Sequence, residues 1–450
     1  MRPHHELSLA DLAAAIQDGT FEPASAVEAT FERIEALDPT LNSFVAIRAS
    51  ARDEARRAGG PLAGIPIAVK DVFVDGGRAP TAGSHLRPTW LEGTAAVLDR
   101  LRAAGAVIVG YTNMHEWSLD MTSTVSAFGP VHNPWDPERI AGGSSGGSGA
   151  AVGAGLVAGA LGTDAGGSIR CPAACCGVVG LKPTWGLVPT NGYTGDGGPY
   201  DHVGPLARSV GDVALLLSVL VGRRLEIPAF EGARVAVARG PFFDDAAEDV
   251  RATVEDAVAA FSSRHGAVRD VSLEGLEDAV KGVSDLLALT AARIGDAIET
   301  RADDLQPSTL RLLRWGAGAG PRELAALASA RGRVRRRWDE ALADLDLLLT
   351  PTLPATPPPI AEPNVNLPAG ALPASSAYLR WNAPMNVAGV PSLSLPCGFT
   401  ASGMPVGLTI SGRRGADEQV LAAGLAVEHA LDRQFVNLIS EPDLGGEASP

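Results

Sequence analysis

The sequence predicts an α/β protein, a β-sheet carrying helices on its faces, and three observations lead there. First, Ile65, Ile67 and Val69 alternate with Pro66, Ala68 and Lys70, a strand signature that ends at Asp71 and puts Lys70 on the face of Ala68. Second, helical spacing over 95–104 runs into a short apolar run at 106–111, and a strand at 235–238 is followed by Val250, Val254, Val258 and Phe261 at helical spacing. Strand and helix in alternation make layers. Third, 450 residues that are 46% hydrophobic bury a sizeable core without disulfides.

The remaining elements follow in chain order. Ser8 with Asp11 marks a helix start, and Leu9, Leu12 and Ile16 then recur at helical spacing. A second helix carries Val27, Phe31, Ile34 and Leu37 on one face. The longest uncharged run, 140–163, holds nine glycines and four hydroxyl residues, too little apolar mass for lipid, so a Gly/Ala-rich buried helix is expected. Ser209 and Asp212 cap an apolar helix ending at Val221, and 273–345 is mostly helical in composition. The Pro-rich stretch 351–373 is expected to be irregular. Strands at 392–395 and 406–410 precede a final helix over 417–431. No repeat and no linker divides the chain, so residues 1–450 are expected to form one domain.

Composition excludes several functions. Acidic residues outnumber basic ones 52 to 37, a net charge of -15, which argues against tracking a phosphate backbone. The densest basic stretch, Arg331 to Arg337, sits among helix formers and reads as a solvated face. Cys171, Cys175, Cys176 and Cys397 are too few and too unevenly spaced for a disulfide framework or a zinc site, and read as buried thiols. The first residues lack an apolar signal region, and a cytoplasmic protein with no membrane or nucleic-acid partner is expected.

Among the 37 basic residues only Lys70, Lys182 and Lys281 are lysine. A desolvated lysine can become a neutral amine and accept a proton, which arginine cannot. Lys70 at a strand end is either such a base or a lysine snorkelling to water. Glycine concentrates at 142–149, where Ser144, Ser145 and Ser148 interrupt it. That stretch lacks the Lys and Ser or Thr of a phosphate loop, and it formally matches a nucleophile elbow without a convincing strand before it. A flexible linker is the plain alternative. At 162–170, Gly166 and Gly167 precede Ser168, so successive N–H groups can converge as in an oxyanion hole, with Asp164 and Arg170 flanking the turn.

These stretches together resemble the amidase signature family. The resemblance rests on Gly-Gly-Ser-Ser-Gly-Gly-Ser at 142–148, Gly-Thr-Asp-Ala-Gly-Gly-Ser-Ile-Arg at 162–170, Cys-Gly-Val-Val-Gly-Leu-Lys-Pro-Thr at 176–184 and Gly-Ile-Pro-Ile-Ala-Val-Lys-Asp at 64–71. It is dense over 60–215 and weaker at 350–352, 386–391 and 404–408. The resemblance implies a large mixed central sheet covered by helices on both faces, and a Ser-cisSer-Lys triad. Carried over, Ser168 is the nucleophile, Ser144 the bridging serine after a cis peptide from Gly143, and Lys70 the base. The N–H groups of Ala165, Gly166, Gly167 and Ser168 would hold the oxyanion, with Gly143, Ser145, Asp164 and Arg170 in support. The chemistry is coherent: a serine hydroxyl needs a neighbouring base, and a buried lysine titrating about 3 pH units below its usual value of about 10.4 supplies one.

The family also includes the glutamine-hydrolysing subunit of tRNA-dependent amidotransferases, and 126–135 looks much like it. That subunit places an aspartate before the stretch matching 386–391, where this chain has Tyr378-Leu379-Arg380-Trp381-Asn382 without an acid. A stand-alone amidase is therefore expected, acting on small uncharged amides, anilides or carbamates (urethanes), with esterase side activity. The alternatives are the glutaminase of a tRNA-dependent amidotransferase, or a non-catalytic binding subunit. By resemblance, Leu119, Asp120, Met121, Thr122, Trp381 and Asn382 line the substrate pocket, and the helical and Pro-rich segment at about 273–380 lies near it. His115, His132 and His202 read as structural. No cofactor and no metal is expected, and the chain is expected to be a monomer or homodimer.

Overall fold

A computed structural model describes residues 3–195, 198, 200–276 and 278–431. Eleven strands form one mixed sheet. In chain order they are β1 (Phe44–Ile47), β2 (Pro66–Lys70), β3 (Val107–Thr112), β4 (Gly159–Asp164), β5 (Val179–Lys182), β6 (His202–Ala207), β7 (Val235–Arg239), β8 (Arg269–Ser272) and β9 (Leu347–Pro351). A separate hairpin, β10 (Asn364–Leu367) with β11 (Gly370–Pro373), comes next, and β12 (Ser392–Phe399) and β13 (Pro405–Gly412) complete the sheet. The spatial order is β1-β3-β2-β4-β6-β5-β12-β13-β9-β7-β8. The β3, β2 and β4 ladders are parallel, as are β9, β7 and β8, and the strands between and outside them pair antiparallel.

The period of two decides which side chain meets which layer. Ile67 and Val69 of β2, with Ile108 of β3 and Leu161 of β4, join the core under the helices Leu9–Gln17, Ala96–Ala103 and Val210–Val221. Ala68, Val107, Val109 and Ala160 face the other way, onto Ala151 and Val152 of the helix Gly146–Gly153. Lys70, two residues after Ala68, shares that second face. The caps expected from sequence are present, Ser8 Oγ accepting from Asp11 N and Ser209 Oγ from Asp212 N.

Three expectations need correction. The run 140–163 is not one buried helix. The helix ends at Gly153, and Gly155 at a φ of +65° reverses the chain so that 159–164 becomes β4, between β2 and β6. The Pro-rich stretch contains the β10–β11 hairpin, because Asn364 to Leu367 alternate exposed and buried residues before a turn into Gly370. The basic stretch is not a purely solvated face: Arg331 is ion-paired with Asp285, Arg333 with Asp278, and Arg335 donates to Val387 O at 2.8 Å. Among the described residues, no helix is long and apolar enough to cross a membrane.

Candidate active site

Lys70 ends β2 with its side chain fully buried. Its Nζ donates to Ser144 Oγ at 2.7 Å and to Thr163 Oγ1 at 2.9 Å. Burial strips water from the ammonium and lowers its pKa to about 7, against the opposing pull of the Asp164 and Asp201 charges. The other lysines are placed for different work. Lys182, also buried and also lowered to about 7, donates to Pro183 O, His202 Nε2 and Val390 O. Lys281 is exposed and lies 3.6 Å from Asp278. Among the described lysines, Lys70 alone reaches a serine hydroxyl.

Ser144 follows a cis peptide bond from Gly143. Its carbonyl accepts from His115 N at 3.1 Å and Ser123 Oγ at 3.3 Å, which hold the loop from the far side. The helix that follows needs glycine to approach so closely. A Cβ on Gly147 would lie 2.4 Å from the carbonyl oxygens of Asn113 and Ser43. Ser145 ties this loop to the next strand, its Oγ donating to Thr163 O at 3.2 Å and its N–H to Ser168 O at 3.2 Å.

Ser168 sits on the turn after β4, and Asp164 builds that turn. The Asp164 carboxylate accepts from the N–H groups of Gly167 (2.7 Å) and Ile169 (3.2 Å), from Asn386 Nδ2 (2.7 Å), and from both Nε and Nη2 of Arg170 (3.0 and 3.1 Å). The Arg170 guanidinium holds the carboxyl far below the usual carboxylate range, overcoming the opposing effect of burial. His202 Nδ1 donates to Asp164 O at 3.0 Å, and burial keeps its pKa well below normal. Breaking the bidentate pair with Arg170→Met leaves a fully buried carboxylate without its cation. The expected loss is about 3–5 kcal/mol of unfolding free energy by chemical denaturation, and an unchanged midpoint would show that the pair does not brace the turn.

Two details depart from expectation. The Gly167 N–H is engaged with Asp164 and is spent on shaping the turn, whereas the amides of Ala165, Gly166 and Ser168 have no acceptor among the described residues. Gly167 itself, at a φ of +122°, leaves no room for a Cβ, which would fall 2.5 Å from Asn382 Cβ. The Ser168 hydroxyl rests 3.9 Å from Met121 Sδ rather than on Ser144. Both serines border one small cavity of about 60 Å³.

A larger cavity of about 240 Å³ opens over Ser168, Ala165 and Gly166. Leu119, Asp120 and Met121 border it as expected. Thr122 does not, since its hydroxyl donates to Asp120 Oδ1 at 2.8 Å. Trp381 and Asn382 are corrections as well. The Trp381 Nε1 donates to Phe242 O, and Asn382 Nδ2 to Thr352 O and Tyr378 O, both side chains being about 1% exposed. Their helix, Ala374–Ala388, turns Ser375, Ser376 and Leu379 to the cavity instead. Val283, Leu286, Leu287 and Leu312 close the apolar side. Sequence reasoning missed these, and missed Thr163 and Asn386. The last two lay inside the quoted stretches, and the missing signal was the pairing of β2 with β4 that brings Thr163 to Lys70.

Comparison with known proteins agrees with this geometry. A family model described as Amidase matches residues 25–421. A glutamyl-tRNA(Gln) amidotransferase subunit from Chloroflexus aurantiacus is 34% identical, covering 95% of this chain and 97% of that protein. A crystal structure of an amidase superposes with a TM-score of 0.88 at 33% identity, covering 94% of this chain and 99% of that one. A bacterial aryl acylamidase of the amidase signature enzymes superposes with a TM-score of 0.86 at 26% identity, covering 98% and 100%.

Proposed function

This chain belongs to the amidase signature family and is an enzyme that hydrolyses amide C–N bonds, and we propose that it is a stand-alone amidase whose substrates join a small apolar acyl group to an amine. The observation that carries this reading is the lining of the 240 Å³ cavity: Leu119, Met121, Val283, Leu286, Leu287, Leu312 and Leu379 supply its apolar surface, and Asp120 is its one charged side chain. Glutamine carries an α-carboxylate on its acyl half, and among the described residues no cation borders this cavity to receive it.

In the proposed reaction the neutral Lys70 amine takes the Ser144 hydroxyl proton as Ser144 takes that of Ser168. Ser168 Oγ then bonds to the substrate carbonyl carbon, and the negative oxygen that forms is held by the N–H groups of Ala165, Gly166 and Ser168. The tetrahedral adduct collapses with cleavage of the C–N bond. Lys70 returns its proton through Ser144 to the departing nitrogen, and the amine leaves. Water repeats the sequence on the ester of Ser168, releasing a carboxylic acid and restoring the serine. Carbamates and esters follow the same path, the ester losing an alcohol in place of the amine.

The second reading, a glutamine-hydrolysing subunit, is favoured by the full-length similarity to the Chloroflexus protein. A panel of acyl anilides, primary amides, carbamates, esters and L-glutamine, offered to the purified chain, separates the two. The expected result is turnover of neutral amides, with kcat/KM rising about fourfold per acyl methylene until the cavity is full, from about 0.8 kcal/mol per buried CH2. Hydrolysis of glutamine alone would overturn it.

A further inference from the structure

The apolar cavity accounts for one half of an amide. The smaller cavity of about 60 Å³ shares Ser168 with it and is bordered besides by Ser144, Thr194, Asp201, Thr290 and Arg293. Ser144 borders this space and not the larger one. Since Ser144 is the group that hands a proton to the departing nitrogen, the amine half of the substrate lies here.

The helix Asp285–Ile294 grades the wall of this cavity. Leu286, Thr290 and Arg293 stand at i, i+4 and i+7, one above another on a single face. The lining therefore runs from an apolar side chain, which borders both cavities, through a hydroxyl to a guanidinium. Arg293 is exposed and has no ion-pair partner among the described residues. In the same helical region Arg301 pairs with Asp304, Arg314 with Glu299, Arg331 with Asp285 and Arg333 with Asp278, and what distinguishes Arg293 is that it borders the cavity. Asp201, the acid on this cavity, is 7% exposed, and its charge acts on the buried Lys70 amine. A guanidinium bordering this cavity offers a planar fork of donors, the geometry that binds a carboxylate through two hydrogen bonds.

Building on the amidase reading above, we propose that Arg293 binds a carboxylate on the amine half of the substrate, so that the preferred substrates are amides between an apolar acyl group and a carboxylated amine. The acyl chain fills the leucine-lined cavity, the scissile bond lies over Ser168, and the carboxylate meets Arg293 at the outer end of the helix face. A neutral amine fits the same space with the guanidinium unused.

The test compares butyranilide with 4-(butyrylamino)benzoate, which differ by one carboxylate on the amine side. The wild-type ratio of kcat/KM, carboxylated over neutral, is expected to be at least about 10, and Arg293→Ala to lower it about tenfold through KM. Arg293→Lys should keep part of the preference, and Arg293→Glu should bring the ratio below one. A wild-type ratio near one, or a ratio that Arg293→Ala leaves unchanged, overturns the proposal. Calorimetric binding of the same pair to the Ser168→Ala protein reads the preference without turnover. Equal Kd values there also overturn it, whereas absent turnover with the Kd difference retained overturns the amidase reading alone.

Discussion

Ser168→Ala is expected to lower amide hydrolysis by about 10⁴-fold or more while leaving the fold intact, because in the proposed reaction it deletes the atom that bonds to the acyl carbon. The side chain it removes is small and makes one long contact, to Met121 Sδ, so little packing is lost. The Asp164 network that builds the turn uses backbone N–H groups and Arg170, and none of those bonds involves the Ser168 hydroxyl. Far-ultraviolet circular dichroism and the unfolding midpoint should therefore match the wild type. A fluorophosphonate should label the wild-type protein at residue 168 and leave the alanine variant unlabelled. Labelling at Ser144 instead would exchange the roles of the two serines. No labelling, with normal substrate binding, would favour a chain that binds without catalysis.

Lys70→Met should have a comparably large effect on rate and, unlike Ser168→Ala, should raise stability. Turnover is expected to fall by about 10³-fold or more, since the variant has no group to take the Ser144 proton. Lys70→Arg should be no better, because a guanidinium keeps its proton. In the proposed reaction the active form is the neutral amine, so kcat/KM should rise with pH through an apparent pKa of about 7 and then level off. The stability sign follows from the same number. Lys70 titrates near 7 when folded and near 10.5 when unfolded, so between those values the unfolded chain binds the extra proton. The cost of burying it is greatest below pH 7 and fades as the pH rises toward 10.5. Methionine removes that cost, so Lys70→Met should be the more stable protein at pH 6, with the difference shrinking by pH 10. A variant less stable at every pH would show that the bonds to Ser144 and Thr163 outweigh the burial of charge.

The local structure of the candidate site was legible at the level of residue type and pattern. A two-residue alternation ending in a rare lysine, a glycine loop bearing Ser144, and a turn of Gly166-Gly167-Ser168 flanked by Asp164 and Arg170 are local signals, and each structure they imply forms within a few residues. The capped helices at Ser8 and Ser209 were equally local, as were β2, β3, β7, β12 and β13, whereas the other strands carried no pattern that set them apart. The run 140–163 was misread because glycine and alanine suit a close-packed helix and a buried strand alike, and only the position of β4 between β2 and β6 settles which residues become strand.

What the linear chain leaves open is everything set by the far side of the fold. Trp381 and Asn382 looked like pocket residues, yet the docking of the helix Ala374–Ala388 against Phe242, Thr352 and the Gly167 turn rotates them inward and presents Leu379. The Gly167 amide looked available until Asp164 reached it. Leu286, Leu287, Leu312 and Leu379 over Ser168, and Arg293 beside it, come from helices more than 100 residues further along, and no spacing rule connects them to a serine. Backbone geometry propagates over a few residues, so residue order suffices for a turn or a strand. A side chain's direction and its proton affinity depend on which distant elements exclude water around it, and that is decided only when the layers pack.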